Sequence, residues 1–429
     1  MNLLRNPWPA LAASLLVCFG LWRWAETILV PSNTHFAQAK AIPIGNNSDL
    51  YPRWLGTREL LLHGRDPYSP EMTRQIQLGF YGRQLDPNNP SDPTDQAAFA
   101  YPLYVIFLLA PTVTLPFQIV LKIFQWLVLL SLAGAVPLWM SAVGFHTKTA
   151  FKVAGMVLAV STSAAISEFH QQNLSVLVFL MLAGAAAAAV RGWRLLPGFL
   201  LALSTVKPQL SVLFLVFFLL WTTGDWKHRQ RIVWSFALGL LALFLAAEAV
   251  SWGWISRFLT ALRAYQTYAA DPSILQVLLP AWLANLLAAA LVVSLVLQCW
   301  RWREAPAGTP QFGWALASLA VVTLAVMPKL AAYNQPLLIP AVLVLLAHRG
   351  AIRKAGFLPR ALTRAVLMCL LWQWGTALVL ALASLRIPPS SLQVAAGVPE
   401  YTLLALPPIT LLAVLANVGA GVPAAAASR

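Results

Sequence analysis

The chain has few charged residues: only 10% of its 429 residues are Asp, Glu, Lys or Arg, while 59% are hydrophobic. This composition excludes an ordinary soluble domain, in which about a quarter of the residues are charged. Apolar stretches long enough to cross a bilayer recur from one end of the chain to the other. Because backbone polar groups inside a bilayer must bond to one another, the sequence predicts an all-α polytopic membrane protein.

Cysteine is also scarce. Cys18, Cys299 and Cys369 lie within or at the ends of apolar stretches, and their number and spacing suggest neither a disulfide framework nor a metal site. The sequence also lacks a Gly-rich phosphate loop, a His-Glu zinc pattern and a Gly-x-Ser-x-Gly elbow. We therefore expect no metal, no cofactor and no cytosolic Rossmann domain for nucleotide sugars.

Acidic residues are half as frequent as basic ones, 14 against 29, which gives a formal net charge of +15. In a soluble chain this balance would suggest nucleic acid. Here the basic clusters are short and separate apolar stretches, as at Lys227–Arg231, Arg301–Arg303 and His348–Lys354. Cytoplasmic loops beside anionic lipid explain them better. The expected partner is membrane lipid and not nucleic acid.

The apolar stretches predict about twelve transmembrane helices in one membrane domain, residues 1–429, with a flexible tail at 417–429. The first helix covers roughly 8–30. Arg5 keeps its N-terminus in the cytoplasm, so residues 31–100 form a first loop on the periplasmic or external side of the inner (plasma) membrane.

The topology around the basic cluster Arg191–Arg194 is ambiguous. A single span between this cluster and Lys227 would place two basic clusters on opposite faces of the membrane. A broken hairpin that turns at Lys207-Pro208 would place both clusters inside and the lysine near the outer face. The sequence leaves both arrangements open.

Half of the acidic residues fall in the first external loop. They are Asp49, Glu59, Asp66, Glu71, Asp86, Asp92 and Asp95. Tyr51, Trp54 and Leu62 follow a helical spacing, and Ser69-Pro70-Glu71 is typical of the capped start of a second helix. The loop is therefore predicted to hold two short amphipathic helices on the outer surface.

Asp49 is the candidate catalytic acid or base. It is an ionisable carboxylate just outside the hydrocarbon, beside aromatic and basic residues, where it can meet water, a sugar hydroxyl and a lipid headgroup. The alternative is that Ser48 or Asp49 only caps the following helix, for which both residue types are preferred.

Two cations are the first candidates for binding a phosphate group. Lys207 lies deep in an apolar segment, where a charge is costly and usually functional; the alternative is a lysine that snorkels from a helix break. Arg53 follows Asp49 by four residues, so a helix would place both on one face. It could hold a phosphate, orient Asp49, or simply bind lipid headgroups.

Polar residues at two other places are candidates for lining the same site. Lys329, with Tyr333 and Asn334, lies between two apolar stretches, where interfacial anchoring is the alternative. Gln172 and Asn173 belong to the polar hinge His170–Asn173 and could bond to sugar hydroxyls or cap helix ends. Asp66, Asp92 and Asp95 could ligate a metal, but proline turns account for Asp66 and Asp92.

A set of short motifs in this order resembles glycosyltransferase family 87. The motifs are Asp49-Leu50-Tyr51, Leu62-His63-Gly64-Arg65-Asp66-Pro67-Tyr68, Phe99-Ala100-Tyr101-Pro102, His170-Gln171-Gln172-Asn173-Leu174, Val206-Lys207-Pro208, and Tyr333-Asn334-Gln335-Pro336-Leu337-Leu338-Ile339-Pro340. The resemblance covers roughly residues 45–345 and depends on the order and spacing of the set.

The resemblance implies a GT-C fold and an inverting transferase related to polyprenyl-phosphate-mannose-dependent α-mannosyltransferases. The implied donor is a polyprenyl-phosphate hexose, mannose first, and the acceptor a lipid-linked or cell-envelope glycan. It assigns the base to an Asp of the first external loop, which is Asp49 here, and it implies no metal. Some relatives carry a histidine near Lys329–Asn334, and this chain does not.

Two rival functions fit parts of the sequence. A transporter or flippase of lipid-linked sugars would also have about twelve spans and a buried lysine, but inverted repeats and acids within several spans are not evident. A non-catalytic membrane subunit that binds lipid-linked glycans is the third hypothesis.

Overall fold

The computed structural model describes residues 7–39, 45–46, 48–86, 88–89, 92–268, 271–328 and 331–427. Every regular element in these ranges is helical. The α-helices are α1 Trp8–Trp24, α2 Val30–Ala39, α3 Leu50–His63, α4 Pro70–Tyr81, α5 Ile106–Leu109, α6 Phe117–Ala142, α7 Thr149–Ala159, α8 Ser163–Gln171, α9 Ser175–Val190, α10 Leu196–Ser204, α11 Pro208–Thr223, α12 Trp226–Val250, α13 Trp254–Tyr268, α14 Ile274–Leu278, α15 Ala281–Arg301, α16 Pro310–Val326, α17 Ile339–Ala347, α18 Arg349–Ile352, α19 Phe357–Ala383, α20 Pro389–Leu392, α21 Leu406–Gly419 and α22 Val422–Ala427. The 3₁₀-helices are Leu103–Val105, Ala110–Thr112, Ala332–Leu338, Gln393–Ala395 and Val398–Thr402, and a π-helix covers Ala25–Leu29.

Six helical segments of the described chain are long and apolar enough to cross a membrane. They are Trp8–Gln38, Phe117–Ala142, Trp226–Val250, Ala281–Arg301, Phe357–Ala383 and Pro389–Gly419. A seventh results if α7 and α8, bent by 60° at their junction, form one span. The predicted all-α, multi-pass membrane class is therefore confirmed. The predicted total of about twelve spans is not, because several apolar segments form short or broken helices.

The first helix is longer than predicted. It continues through the π-helix Ala25–Leu29 into α2 and ends near Ala39 instead of residue 30. Pro31 has no N–H to donate to the preceding turn, and a π turn is a common way to accommodate such a break without ending the helix. The predicted flexible tail also contains a short helix, α22.

The two short helices predicted in the first external loop are present as α3 and α4. Ser69 accepts a hydrogen bond from the N–H of Met72 at 3.1 Å, and Pro70 occupies the first position of α4. Trp54 of α3 is buried, with its ring 5.0 Å from that of Phe117. Helix α3 is thus packed against the membrane domain.

Helices α10 and α11 form the broken hairpin that the sequence left open, and its break lies at 205–207. At about 1.5 Å per residue, the 16 residues of α11 extend about 24 Å from Lys207. At the far end, Trp221 Nε1 donates to the carbonyl of Ala305 at 2.8 Å, and Arg229 donates to that of Arg303 at 2.8 Å.

The basic clusters at 227–231 and 301–303 therefore lie at one end of the molecule. A Cβ on Gly308 would lie 3.3 Å from Val190, so α9 also ends there, just before Arg191–Arg194. The turn that carries Lys207 lies at the opposite end of α11.

Helix α16 lies in the interior of the molecule. Every residue from Phe312 to Ala325 is buried, as expected for a helix that is apolar on all sides. The chain leaves its C-terminus through Met327-Pro328 and then forms the 3₁₀-helix Ala332–Leu338, in which Tyr333 and Asn334 are buried. The 3₁₀-helix that follows α16 thus places two polar side chains, Tyr333 and Asn334, near Lys207.

Candidate active site

Lys207 is the N-cap residue of α11 and its side chain is 5% exposed. Its ammonium nitrogen donates to Asn173 Oδ1 at 2.8 Å, to Asn334 Oδ1 at 3.4 Å and to the hydroxyl of Ser175. The ring of Tyr333 faces the ammonium, with its centroid 5.1 Å from Nζ. A buried ammonium needs such partners because its desolvation is costly. These contacts fix the ammonium inside the molecule.

Asn173 connects this lysine to Asp49. It lies in the short loop between α8 and α9, and its Nδ2 donates to Asp49 Oδ2 at 2.6 Å. Its Oδ1 accepts hydrogen bonds from Lys207 and from the N–H of Ser175, the latter at 3.0 Å. One amide side chain therefore contacts both the candidate base and the candidate phosphate-binding cation.

Asp49 is the N-cap residue of α3, yet its side chain makes no capping hydrogen bond. The neighbouring Ser48 Oγ accepts from the N–H of Leu50 at 3.3 Å, and the N–H of Asp49 donates to the carbonyl of Gln171 at 2.8 Å. The backbone of Asp49 is thus joined to the end of α8. Its carboxylate is directed to Asn173 and not to the helix terminus, so capping does not account for it.

Arg53 lies one turn further along α3. Its Nη1 donates to the carbonyl of Asp49 at 2.7 Å, and its guanidinium lies over the ring of Tyr101, 4.6 Å from the centroid. Burial lowers the pKa of Arg53, but the charges of Tyr101, which ionises only at high pH, and of Asp49 more than offset this, and the pKa lies above its ordinary value. Burial raises the pKa of Tyr101 to about 12. Arg53 is therefore a cation and Tyr101 a neutral phenol at physiological pH.

These side chains surround a cavity of about 120 Å³, the inner cavity. The residues of its lining that carry polar or charged groups include Asp49, Arg53, Asp95, Tyr101, Asn173, Lys207, Tyr265, Tyr333 and Asn334. Two carboxylates, Asp49 and Asp95, thus line a small cavity together with two cations, Arg53 and Lys207. This arrangement can remove a proton from a hydroxyl while positive charge stabilises an anion nearby.

One predicted site residue, Gln172, does not line the inner cavity, and the position of a second, Lys329, is not described. Gln172 is buried behind the cavity, where its Oε1 accepts from Ser48 Oγ at 2.6 Å and its amide nitrogen donates to the carbonyl of Phe169. Lys329 lies outside the described residues; the preceding Met327 and Pro328 do line the cavity.

Sequence reasoning missed Ser175, Tyr101 and Tyr265. Ser175 bonds to Lys207, Tyr101 lies under Arg53, and Tyr265 reaches the inner cavity from α13. Tyr101 belongs to one of the motifs, and Ser175 follows Asn173 by two residues, so both carried a weak signal. Nothing in the sequence near Tyr265 indicated the site.

The acids considered as metal ligands have other partners. Asp92 is paired with Arg83, and this hydrogen-bonded pairing lowers the pKa of the carboxyl. Asp66 Oδ2 lies 3.2 Å from Arg257 Nη1, and Asp95 accepts from the N–H of Ala97. In the described ranges, no group of three or more His, Cys, Asp or Glu side chains is placed to hold a metal ion.

Fold and site together define a multi-pass membrane protein with two carboxylates and two cations around one small cavity. The chain belongs to glycosyltransferase family 87, whose family model matches residues 99–328, more than half of the chain. It is therefore a membrane glycosyltransferase, and the resemblance predicted from the motifs is confirmed. No curated protein and no solved structure matches the chain. Tyr101, Asn173 and Lys207 fall within the matched segment, whereas Asp49 and Asn334 lie outside it.

Proposed function

We propose that this protein transfers a hexose, with mannose as the first candidate, from a polyprenyl-phosphate donor to a lipid-linked or cell-envelope glycan. The observation that carries the proposal is the shared amide: Asn173 contacts the Asp49 carboxylate at 2.6 Å and the Lys207 ammonium at 2.8 Å. A glycosyl transfer needs a base at the acceptor and a cation at the leaving phosphate, and these two groups stand together in the inner cavity.

The proposed reaction is a single displacement with inversion at the anomeric carbon. An acceptor hydroxyl gives its proton to Asp49 as its oxygen bonds to the anomeric carbon. The bond from that carbon to the phosphate oxygen breaks, and its electron pair leaves with the polyprenyl phosphate. Lys207 and Arg53 stabilise the charge on the departing phosphate, and holding the reactants together supplies a further part of the rate enhancement.

Asn334 and Tyr333 complete the proposed phosphate site by making two further contacts with the Lys207 ammonium. Lys329 remains a proposed member of the site, since Met327 and Pro328 line the cavity. In this proposal Gln172 does not contact the donor. It holds Ser48, the residue before Asp49, by accepting a hydrogen bond from its hydroxyl.

An apolar cavity of about 430 Å³ supports a donor with a hydrocarbon chain. Its walls are mostly Leu, Ile, Val, Ala and Pro from α6, α7, α17 and α19. The 3₁₀-helix Ala332–Leu338 supplies residues to both cavities: Asn334 to the inner cavity, and Gln335 and Pro336 to the apolar one. If the lipid phosphate binds at Lys207, the first part of its hydrocarbon chain could pack against the apolar cavity, whose lining begins within one helical turn of Asn334.

The separation of the basic clusters from the site supports an external active site. The clusters at 227–231 and 301–303 lie about 24 Å from Lys207, at the other end of α11. Basic loops are enriched on the cytoplasmic side, so the inner cavity would face the periplasm or exterior of the plasma membrane. In this proposal the shorter apolar helices complete a GT-C-type membrane domain of about twelve spans.

The test is hexose transfer by purified protein in lipid nanodiscs, supplied with polyprenyl-phosphate mannose, glucose or galactose and an envelope glycolipid extract. We expect Asp49→Asn to lower kcat by about 100-fold or more, as for loss of a general base, and Lys207→Ala to lower it comparably. Lys122→Ala, an exposed lysine of α6, is the matched control and should transfer like wild type. Full turnover by Asp49→Asn would refute the assignment of Asp49 as the base. No transfer from any donor, together with ion-driven sugar uptake, would favour a transporter.

A further inference from the structure

A second and larger cavity lies beside the inner cavity. It is a cleft of about 670 Å³ between α4 and α13, and we name it the outer cleft. Its lining includes Tyr68, Thr73, Ser256, Arg257, Thr260 and Tyr268. The inner cavity, at about 120 Å³, is several times smaller. A donor hexose at Lys207 therefore leaves little room there for an acceptor glycan.

The two cavities adjoin along α13 and Ala98. Ala98 lines both of them. On α13, Tyr265 lines the inner cavity and Tyr268 the outer cleft, and their ring centroids are 5.5 Å apart at an interplanar angle of 75°. A molecule in the outer cleft can thus place one end beside Tyr265, which lines the cavity that holds Asp49.

The charges of the outer cleft indicate a neutral ligand. Both arginines of its described lining are paired with carboxylates: Arg257 with Asp66 at 3.2 Å and Arg74 with Glu71 at 2.8 Å. A phosphate would have to compete with these carboxylates. The outer cleft therefore differs from the inner cavity, where Lys207 is held by amide and hydroxyl oxygens.

The hydroxyl groups of the outer cleft are arranged as acceptors. Thr260 Oγ1 donates its proton to the carbonyl of Ser256 at 3.0 Å, Ser256 Oγ donates to that of Gly253 at 3.0 Å, and Thr73 Oγ1 donates to that of Ser69 at 3.2 Å. Each hydroxyl oxygen keeps lone pairs for a hydroxyl donor from a ligand. Hydroxyl acceptors beside two tyrosines, Tyr68 and Tyr268, suit a sugar, which offers both O–H groups and apolar C–H faces.

We propose that the outer cleft binds the glycan of the acceptor and directs one of its hydroxyls past Tyr265 to Asp49. The proposal rests on the proposed function, because it assumes that the inner cavity holds the donor hexose and phosphate. The donor phosphate does not suit the outer cleft, since both arginines of its described lining are already paired with carboxylates.

Binding is measured first, without any donor. Saturation-transfer difference NMR is recorded on the full-length protein in nanodiscs with methyl α-D-mannopyranoside, methyl α-D-glucopyranoside and methyl α-D-galactopyranoside. Thr260→Trp places an indole in the cleft from α13, and Thr73→Trp does so from α4. The matched control is Thr267→Trp: Thr267 is exposed on the same helix, bonds to the carbonyl of Ala264 and does not line the cleft.

We expect at least one glycoside to give a signal with wild type and Thr267→Trp, and both cleft variants to lose at least 80% of it. Equal signals from all four proteins would overturn the proposal. So would the absence of any signal with wild type.

Kinetics separate this proposal from the proposed function. With a polyprenyl-phosphate hexose as donor, we expect Thr260→Trp to raise the KM for octyl α-D-mannopyranoside at least tenfold and to leave hydrolysis of the donor by water within twofold of wild type. A variant that loses transfer and donor hydrolysis equally would contradict an acceptor site. Full turnover by Asp49→Asn would refute the proposed base, while loss of glycoside binding in Thr260→Trp would still support the cleft.

Discussion

Asp49 and Lys207 bond to opposite ends of the Asn173 amide. Asp49 Oδ2 accepts from Nδ2 at 2.6 Å, and Lys207 Nζ donates to Oδ1 at 2.8 Å. The two residues are 158 positions apart in sequence, and each opens a different helix, α3 and α11. Because an amide is planar, its orientation at one end fixes its orientation at the other. The carboxylate and the ammonium are thus positioned as a pair.

Replacing Asn173 should therefore impair both groups. We expect Asn173→Ala to lower kcat by about 10- to 100-fold, because small displacements of reacting groups cost up to about 10² in rate. Steady-state transfer kinetics measure this. Asn285→Ala, which removes an exposed asparagine of α15, is the control. An unchanged kcat in Asn173→Ala would show that the amide positions neither group.

Asn173→Asp tests the same contact through the pH dependence. It places a second carboxylate beside Asp49, and two carboxylates that share a site bind a proton more readily than one alone. As the pH falls, the carboxylates are then protonated at a higher pH than in wild type. The acid limb of the kcat profile should therefore shift to higher pH by about one unit or more. A profile that keeps its acid limb while kcat falls would indicate a purely structural role.

Lys207→Met should separate the charge of Lys207 from its packing. Methionine nearly fills the same space, but it cannot donate to Asn173 Oδ1 and Asn334 Oδ1. These oxygens keep Ser175 as a donor, so each lost hydrogen bond costs about 1 kcal/mol. We expect transfer to fall about 100-fold or more, since the leaving phosphate loses a cation, and the Tm to fall by several degrees. Lys122→Met is the control for both measurements. Retained transfer with a lowered Tm would assign Lys207 to structure alone.

Arg53→Lys should weaken donor binding without abolishing the reaction. A lysine cannot reproduce both the planar contact with Tyr101 and the hydrogen bond to the Asp49 carbonyl. We expect the KM for the donor to rise about five- to tenfold, which corresponds to a loss of about 1 to 1.4 kcal/mol in total when the two contacts are weakened but not abolished.

The matched control for Arg53→Lys is Arg58→Lys. Arg58 also lies on α3, over the ring of Trp54 at 5.7 Å, and donates to a carbonyl, that of Val113, but it does not line the inner cavity. If the donor KM rises equally in both variants, the cause is altered packing of α3 and not weaker phosphate binding.

Gln172→Ala should affect stability more than catalysis. Gln172 has a φ of +47°, in the left-handed region, and its side chain accepts from Ser48. Alanine would have to adopt the same unfavourable left-handed backbone conformation, and it would lose the hydrogen bond. We therefore expect the free energy of unfolding to fall by about 1 to 2 kcal/mol. Thermal unfolding measures this, and the donor KM should remain within twofold. A raised KM without loss of stability would mean that Gln172 contacts the substrate.

Local sequence patterns were sufficient for the secondary structure of the first external loop. The caps at Ser69 and Pro70 and the helical spacing of Tyr51 and Trp54 predicted α4 and α3, because these signals act within one or two turns of the chain. Low charge and recurrent apolar stretches likewise predicted the helical membrane class. The number of spans could not be counted in this way, because hydropathy does not show where an apolar stretch breaks, as at 205–207 or between α7 and α8.

The sequence by itself determined which residues carry unusual chemistry: a carboxylate at Asp49 beside aromatic and basic residues, a lysine at 207 within an apolar segment, and an ordered set of motifs that identified the family. Only the tertiary structure decided that these residues meet. The contact between Asp49, Asn173 and Lys207 joins three separate helix ends, and no local pattern specifies the packing between them. Burial of the apolar helices fixes that packing, and it brings the carboxylate and the ammonium to one amide.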